Sequence, residues 1–155
     1  MKCEIVGGMV RLMLMWLGVL LMGWGLGDPG WAARQPAPAA TPVVLTVNLG
    51  TAEGELRFEP DQIQMRVGVP YQLHLVNPSP MKHYFTAKDF ADAIWTRKVQ
   101  TEGAEIKGHI NNVELKPGAS LDWYLVPQQP GSYGVVCTIP GHREAGMVAE
   151  VVIQG

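Results

Sequence analysis

Cysteine is scarce in this sequence, and charge of either sign is nearly balanced. The 155 residues include two cysteines, Cys3 and Cys137, with 12 basic and 14 acidic residues and a net charge of −2. The chain has no basic or acidic run and no internal repeat. Proteins that bind nucleic acid usually concentrate positive charge on one face. The composition therefore predicts that nucleic acid is not a partner.

The first 32 residues have the order of a secretory signal. Lys2 and Arg11 precede an apolar stretch over residues 12–26, which is followed by Pro29 and by small residues up to Ala32. A basic segment, a short apolar core and small residues at a cleavage site are typical of such signals. We expect a signal peptide over residues 1–32 and export to a periplasm or a thylakoid lumen. The alternative is an uncleaved anchor, and the protein then contacts the membrane through this segment alone.

Removal of that segment leaves Cys137 as the single cysteine. A lone thiol cannot form an internal disulfide, and it needs protection in an oxidising compartment. Metal binding gives that protection, and deep burial is the alternative. A linker rich in proline and alanine follows over residues 33–42, and we expect one folded domain over residues 43–155.

Short strands dominate the predicted domain. Alternating or β-branched apolar runs bounded by glycine and proline predict strands, and they occupy residues 43–49, 63–67, 71–76, 120–126, 133–137 and 147–153. One helix is expected from Thr86 to Trp95, with Thr86 and Asp89 as a capping box and with Phe90, Ile94 and Trp95 buried. Many short strands without a βαβ rhythm predict an all-β fold, an antiparallel Greek-key β-sandwich with one short helix.

Three sulfur and nitrogen donors fall within one loop between the last two predicted strands. Cys137, His142 and Met147 are each separated by four residues, so the loop can curl around one ion. Zinc sites seldom use methionine, whereas two histidines, one cysteine and a distant methionine describe a blue-copper electron-transfer centre. The pattern predicts one copper ion as the cofactor.

The second histidine of this set must lie upstream, and His83 is the best candidate. His109 is its rival, but it lies in a polar segment without apolar enclosure. His74 alternates with Leu73 and Leu75 and should point to the outer face of its strand. Alternatives without metal binding stay open. His83 could be an ordinary loop residue, and Met147 could be the first core residue of the last strand.

The order of these residues resembles the cupredoxins, the type 1 blue copper proteins of the plastocyanin and azurin kind. The resemblance extends over residues 43–153, and its most specific part is the pattern Gly131, Tyr133, Cys137, His142 and Gly146-Met147. It implies that His83, Cys137 and His142 form a trigonal copper plane with Met147 as the long axial ligand. Tyr84 departs from the family, in which an asparagine that ties the two ligand loops together usually follows the first histidine.

The same cysteine, histidine and methionine spacing occurs in the type 1 domain of laccase-like multicopper oxidases. Those enzymes place histidines beside the cysteine, whereas here Val136 and Thr138 flank Cys137. Only His74 and His109 remain for a trinuclear cluster, which is too few. A dinuclear copper centre is excluded as well, because it needs two cysteines and Cys3 lies ahead of the apolar stretch. We therefore expect that the protein is not an enzyme.

The function expected from this reasoning is transient electron transfer by a monomer that cycles Cu(I) and Cu(II). The partners would be redox proteins such as a cytochrome or a membrane oxidoreductase. The resemblance implies that electrons pass through His142, whose ring reaches the surface among apolar residues, with candidates at Met81, Pro140, Gly141 and Ala145. The alternatives are a copper carrier, chaperone or sensor, which the placement of Met81 and Met147 favours, and a metal-free sandwich used for protein contact.

Overall fold

Eleven strands and one short helix make up the part of the chain that the computed structural model describes, residues 40–155. The predicted signal peptide and most of the predicted linker lie outside these residues. The strands are β1 (Val43–Leu49), β2 (Phe58–Glu59), β3 (Gln62–Arg66), β4 (Tyr71–Val76), β5 (His83–Thr86), β6 (Ile94–Gln100), β7 (Glu105–Ile106), β8 (Asn112–Leu115), β9 (Ser120–Pro127), β10 (Gly131–Val136) and β11 (Val148–Gln154), and the helix is α1 (Lys88–Asp92).

The strands form two sheets that face each other as a sandwich. One sheet has the order β2-β1-β4-β9-β6-β7 and the other the order β3-β11-β10-β5-β8. Most neighbours are antiparallel, but β1 pairs with β4 and β3 pairs with β11 in parallel. The β-sandwich prediction is confirmed. The two parallel pairs join strands far apart in sequence, which the alternation of single strands does not reveal.

The core lies between the inner faces of the two sheets. Alternate residues of β4 and β9 are buried, as the period of two in their sequences predicts. Trp123 is fully buried at the centre, packs edge-on against Phe85 and Phe90, and donates its indole N–H to Thr96 Oγ1. The close packing of these aromatic side chains fixes the sheet that carries β5 against the sheet that carries β9.

The helix is shorter than predicted, and its start differs. It spans only Lys88–Asp92, and no side chain caps its first N–H groups. The Thr86 hydroxyl instead donates to Asn112 Oδ1 on the neighbouring strand β8, so the predicted capping box is wrong. Trp95 belongs to β6 and is 58 % exposed rather than buried. Pairing in the sheets overrides the local helix signal at both ends, while Phe90 and Ile94 are buried as predicted.

No helix within residues 40–155 has both the length and the apolar character needed to cross a membrane.

Candidate metal centre

Cys137 and Met147 stand at the two ends of the loop that joins β10 to β11. The last pair of the ladder joins Val136 to Val148, and the Cys137 N–H donates to the Met147 carbonyl oxygen at 3.2 Å. Both residues are fully buried. The antiparallel pairing therefore brings two residues ten positions apart side by side at the edge of the core.

The loop between them is held by its own backbone. The His142 N–H donates to the Ile139 carbonyl oxygen at 3.0 Å, and the Met147 N–H donates to the His142 carbonyl oxygen at 2.9 Å. Gly146 lies in the left-handed region with φ of 102°, which glycine adopts without steric cost. These turns aim His142 back toward Cys137 rather than into solvent.

His83 is the first residue of β5 and comes from the other side of the site. Strand β5 lies beside β10, with Thr86 paired to Val136, so its first residue is near the end of β10. His83 is fully buried, and its Nε2 is the one buried side-chain nitrogen or oxygen within residues 40–155 that has no hydrogen-bond partner. A buried polar atom without a partner is rare and calls for an explanation. The other ring nitrogen of His83, Nδ1, faces Cys137 Sγ.

The three side chains converge on one small volume. Cys137 Sγ lies 3.4 Å from His142 Nδ1 and 4.0 Å from His83 Nδ1, and the three donor atoms lie within 4.8 Å of one another. The two imidazole rings are tilted by 56° with centroids 5.2 Å apart. Both histidines thus present the same ring nitrogen to the same sulfur.

The surroundings of His83 favour its neutral imidazole form. Burial, and then the neighbouring His142, hold the pKa of His83 below its ordinary value of 6.5. A neutral imidazole has a free lone pair, which is the form that coordinates a metal. The lowered pKa of His83 therefore keeps this nitrogen ready for a metal near neutral pH.

Tyr84 approaches the sulfur through its backbone. The Tyr84 N–H donates to Cys137 Sγ at 3.4 Å, while its phenol turns outward to Glu114. Hydrogen bonds to a ligand sulfur tune the electronic properties of a metal site. The sequence marks Tyr84 as a departure from the family, but a backbone donor is the same for every residue except proline and leaves no sequence signal.

Asn77 is a residue of the site's surroundings that sequence reasoning missed. It is fully buried, its Oδ1 accepts the Ser79 N–H at 3.0 Å, and its Nδ2 donates to the carbonyl oxygens of Met81 and Leu115 at 2.8 and 2.9 Å. These bonds fold the segment before His83 against β8. The Asn-Pro step signalled only a turn, since burial of its amide depends on strands that are distant in sequence.

The remaining two histidines lie away from the cluster. His74 Nδ1 pairs with Asp122 Oδ1 at 2.7 Å across β4 and β9, and His109 Nε2 lies 2.9 Å from Asp92 Oδ1 on the surface. His74 points away from the core, as predicted. Neither residue belongs to the group of donor atoms found within residues 40–155.

The donor set fits copper better than the common alternatives. One thiol and two imidazoles, with a buried methionine adjacent in the backbone, match the soft and borderline ligands of a blue-copper site. Structural zinc sites instead use four cysteine or histidine ligands. Burial of the thiol and of one imidazole leaves little access for water.

Comparison with known proteins decides the family. Residues 45–154 match the copper-binding proteins of the plastocyanin/azurin family. The chain belongs to this family. It is thus a cupredoxin, and copper is its cofactor, which confirms both predictions made from the sequence.

This cupredoxin is similar in sequence to one known copper protein and in fold to a small solved structure. It is 27 % identical over 137 residues to the copper-resistant cuproprotein CopI of Rubrivivax gelatinosus. The match covers 83 % of this chain and 73 % of CopI. The fold matches reduced auracyanin from Roseiflexus castenholzii with a TM-score of 0.52 and 16 % identity, covering 75 % of this chain and all of that one.

Enzymes also share the fold of this cupredoxin. A multicopper oxidase from Campylobacter jejuni matches with a TM-score of 0.51 and 16 % identity, covering 77 % of this chain. The match covers only 32 % of the oxidase. At this identity the likeness concerns the fold alone.

Proposed function

We propose that this cupredoxin carries single electrons between redox proteins, with His83, Cys137 and His142 as equatorial copper ligands and Met147 as the axial ligand. Bound copper supplies the Cu(I)/Cu(II) couple. The observation that carries the proposal is the convergence of three donor atoms within 4.8 Å on a buried, hydrogen-bonded frame.

The frame limits how much has to move when the charge of the site changes. His83 is fixed by the pairing of β5 with β8, and Cys137 by its backbone bond to Met147 at the base of the hairpin. Preorganised groups need no rearrangement at the moment of reaction. A site held in this way suits repeated one-electron transfer better than chemistry that must open the coordination shell.

His142 is the proposed exit for the electron. His83 and Cys137 are fully buried, whereas His142 is half-buried and its loop neighbours Pro140 and Gly141 are exposed. Met81, two residues before His83 in the sequence, is 42 % exposed. Redox encounters between proteins use small interfaces. A partner that covers this end of the sandwich would contact the edge of one ligand directly.

We propose no catalytic role for the chain. An oxygen-reducing cluster needs several further imidazoles, and the sequence has four histidines in all. His74 and His109, the two outside the cluster, each pair with a carboxylate. These pairs explain both residues without a second metal.

The setting is proposed together with the function. A signal at residues 1–32 would place the domain in a periplasm or a thylakoid lumen, with membrane contact only if that segment is retained. There the protein would act as a monomer with transient partners, such as a cytochrome or a membrane oxidoreductase. The nearly balanced charge suggests that these encounters do not depend on a strong electrostatic field.

The decisive experiment loads the domain with copper and measures its visible spectrum and its cyclic voltammogram. We expect an intense copper-thiolate band and a reversible one-electron wave. Cys137→Ser should abolish the band, and His109→Asn, the matched control outside the cluster, should leave it unchanged. An intense band in the Cys137→Ser protein would contradict the assignment.

Copper handling is a second candidate function, favoured by the similarity to the copper-resistant cuproprotein CopI. Exposed Met81 would then offer a thioether to Cu(I) on its way into or out of the site. Rapid loss of copper to a modest chelator without a reversible wave would favour this candidate. Slow loss with a reversible wave would favour electron transfer.

A further inference from the structure

The buried imidazole of His83 rests against a glycine that follows β1. Gly50 is buried and has φ of 79°, in the left-handed region. Its N–H donates to the Arg57 carbonyl oxygen at 2.8 Å, and the residues that follow are tied by a bond from the Gly54 N–H to the Thr51 carbonyl oxygen at 2.9 Å. The backbone at Gly50 is therefore a fixed wall beside the ring.

A side chain at this position would collide with His83. A Cβ added to Gly50 would lie 2.8 Å from His83 Nε2, 3.2 Å from His83 Cδ2 and 3.0 Å from Ser79 Cβ. Carbon atoms in contact prefer separations of about 3.5 to 4.0 Å. The ring or the backbone would have to move.

The position of the contact on the ring gives it a specific consequence. In an imidazole, the bond between Nε2 and Cδ2 lies opposite Nδ1, and Nδ1 is the atom that faces Cys137 Sγ at 4.0 Å. A wall against that bond holds Nδ1 toward the sulfur. A ring turned by half a rotation would present carbon instead of nitrogen to the site.

We propose that Gly50 is a positioning residue for the copper ligand His83. Its lack of a side chain lets the loop after β1 close on the ring edge opposite Nδ1 and set the rotation of the ring. The inference rests on the proposed ligand role of His83 and goes beyond the proposed electron transfer. It assigns a task to a residue that has no donor atom of its own in the site.

Gly68 provides a matched control. Its φ of 78° is nearly the same as that of Gly50, but a Cβ there would meet nothing within 4 Å. Alanine at either position strains the backbone to a similar degree. Only alanine at position 50 contacts a proposed ligand.

The test compares Gly50→Ala with Gly68→Ala after loading with Cu(II). We expect Gly50→Ala to shift the visible band and the copper hyperfine splitting in the electron paramagnetic resonance spectrum. It should also weaken copper binding by about 10- to 100-fold, which is the usual loss when a residue that supports metal ligands is changed. Gly68→Ala should match the parent protein in both respects. A parent-like spectrum and affinity for folded Gly50→Ala would overturn the proposal.

Ser79 is the other side chain that the added Cβ would contact, and a double variant separates the two effects. Gly50→Ala with Ser79→Gly removes the contact with Ser79 and keeps the contact with His83. The altered spectrum should persist in this variant. Restoration of the parent spectrum would assign the effect to Ser79 and overturn the proposal.

A measurement on the unaltered protein covers the case in which Gly50→Ala does not fold. In the diamagnetic Cu(I) form, nuclear Overhauser contacts should connect the His83 ring protons at Nε2 and Cδ2 with the Gly50 α protons. Their absence would overturn the proposal. These readouts do not depend on electron transfer, so a protein that only stores copper would still show them.

Discussion

His83 and His142 offer the same nitrogen to the same sulfur, but the molecule holds them in different ways. His83 belongs to a strand, is fully buried and is enclosed by the segment that Asn77 folds and by Gly50. His142 belongs to a loop, is half-buried and is held by backbone turns of that loop alone. The position of His83 therefore depends on the whole sandwich, and that of His142 depends on the eleven residues from Cys137 to Met147.

This difference separates two requirements of a metal site. A site that must not rearrange benefits from ligands fixed by the core, and a site that must exchange electrons needs one ligand near the surface. Under the proposed function, the protein would divide these tasks between His83 and His142. Changes near His142 should therefore act locally, whereas changes near His83 should affect both folding and metal binding.

The largest difference between His83 and His142 is expected when each imidazole is removed in turn. In His142→Gly, added imidazole should enter from solvent and restore an intense copper-thiolate band. In His83→Gly, the same imidazole concentration should restore little of the band, because the cavity left behind is enclosed. Loss of the buried His83 ring also weakens the core. The visible titration with imidazole measures both. Equal restoration in the two variants would show that burial does not distinguish these ligands.

The next largest effect is expected at Asn77, which supports only the His83 side. Asn77→Ala removes three hydrogen bonds and leaves the buried Ser79 N–H, the buried Leu115 carbonyl oxygen and the partly buried Met81 carbonyl oxygen without that partner. Unpaired buried groups cost about 1–3 kcal/mol each, so we expect the free energy of unfolding to fall by about 3 kcal/mol. Chemical denaturation of the apo domain measures it.

Asn111 is the control for this change, because it is an exposed asparagine whose contribution in the described hydrogen bonds is its backbone carbonyl. Asn111→Ala should alter the free energy of unfolding by less than about 0.5 kcal/mol. Equal destabilisation by the two variants would contradict the role assigned to Asn77.

A smaller effect is expected from acid acting on the apo domain. The pKa of His83 lies below its ordinary value of 6.5 in the folded state, mainly through burial. Below pH 6.5 the unfolded chain takes up a proton that folded His83 does not, so stability falls as the pH is lowered from that value toward the folded pKa. The melting temperature should drop between pH 7 and pH 5.

His83→Gln removes this titrating group and should flatten the pH dependence of the melting temperature. His142→Gln is the comparison, since it removes the half-buried imidazole instead. An unchanged pH profile in His83→Gln would show that another group causes the acid sensitivity.

The two halves of the site also differ in how far the sequence predicts them. The loop from Cys137 to Met147 is compact in sequence, so spacing alone grouped its donors, and the structure places Cys137 and His142 together. His83 had to be chosen among three histidines, and its proximity to Cys137 depends on β5 lying beside β10. Contacts between distant strands carry no local signal.

The fold shows the same division. Strands β1 and β4 were predicted with their observed bounds, because β-branched and alternating runs carry a period of two. The helix was overextended because the capping pattern at Thr86 is satisfied across the sheet instead. Asn77 and Gly50 read only as turn residues, since their roles depend on what packs against them.

Tyr84 tests the smallest of the expected differences on the His83 side. Its backbone N–H donates to Cys137 Sγ, while its phenol and Lys82 both contact Glu114 at the surface. The hydrogen bond that the Tyr84 phenol donates to Glu114 raises the pKa of the phenol above its ordinary value of 10.0, so the phenol stays neutral near pH 7. Tyr84→Phe keeps the backbone donor and loses only a solvent-exposed bond, which contributes little. We expect the copper-thiolate band and the reduction potential to stay at their parent values, as measured by absorption and voltammetry. Tyr84→Pro removes the N–H itself and should shift both the band and the potential. A large shift in Tyr84→Phe would instead mean that the side chain, rather than the backbone, connects this strand to the metal.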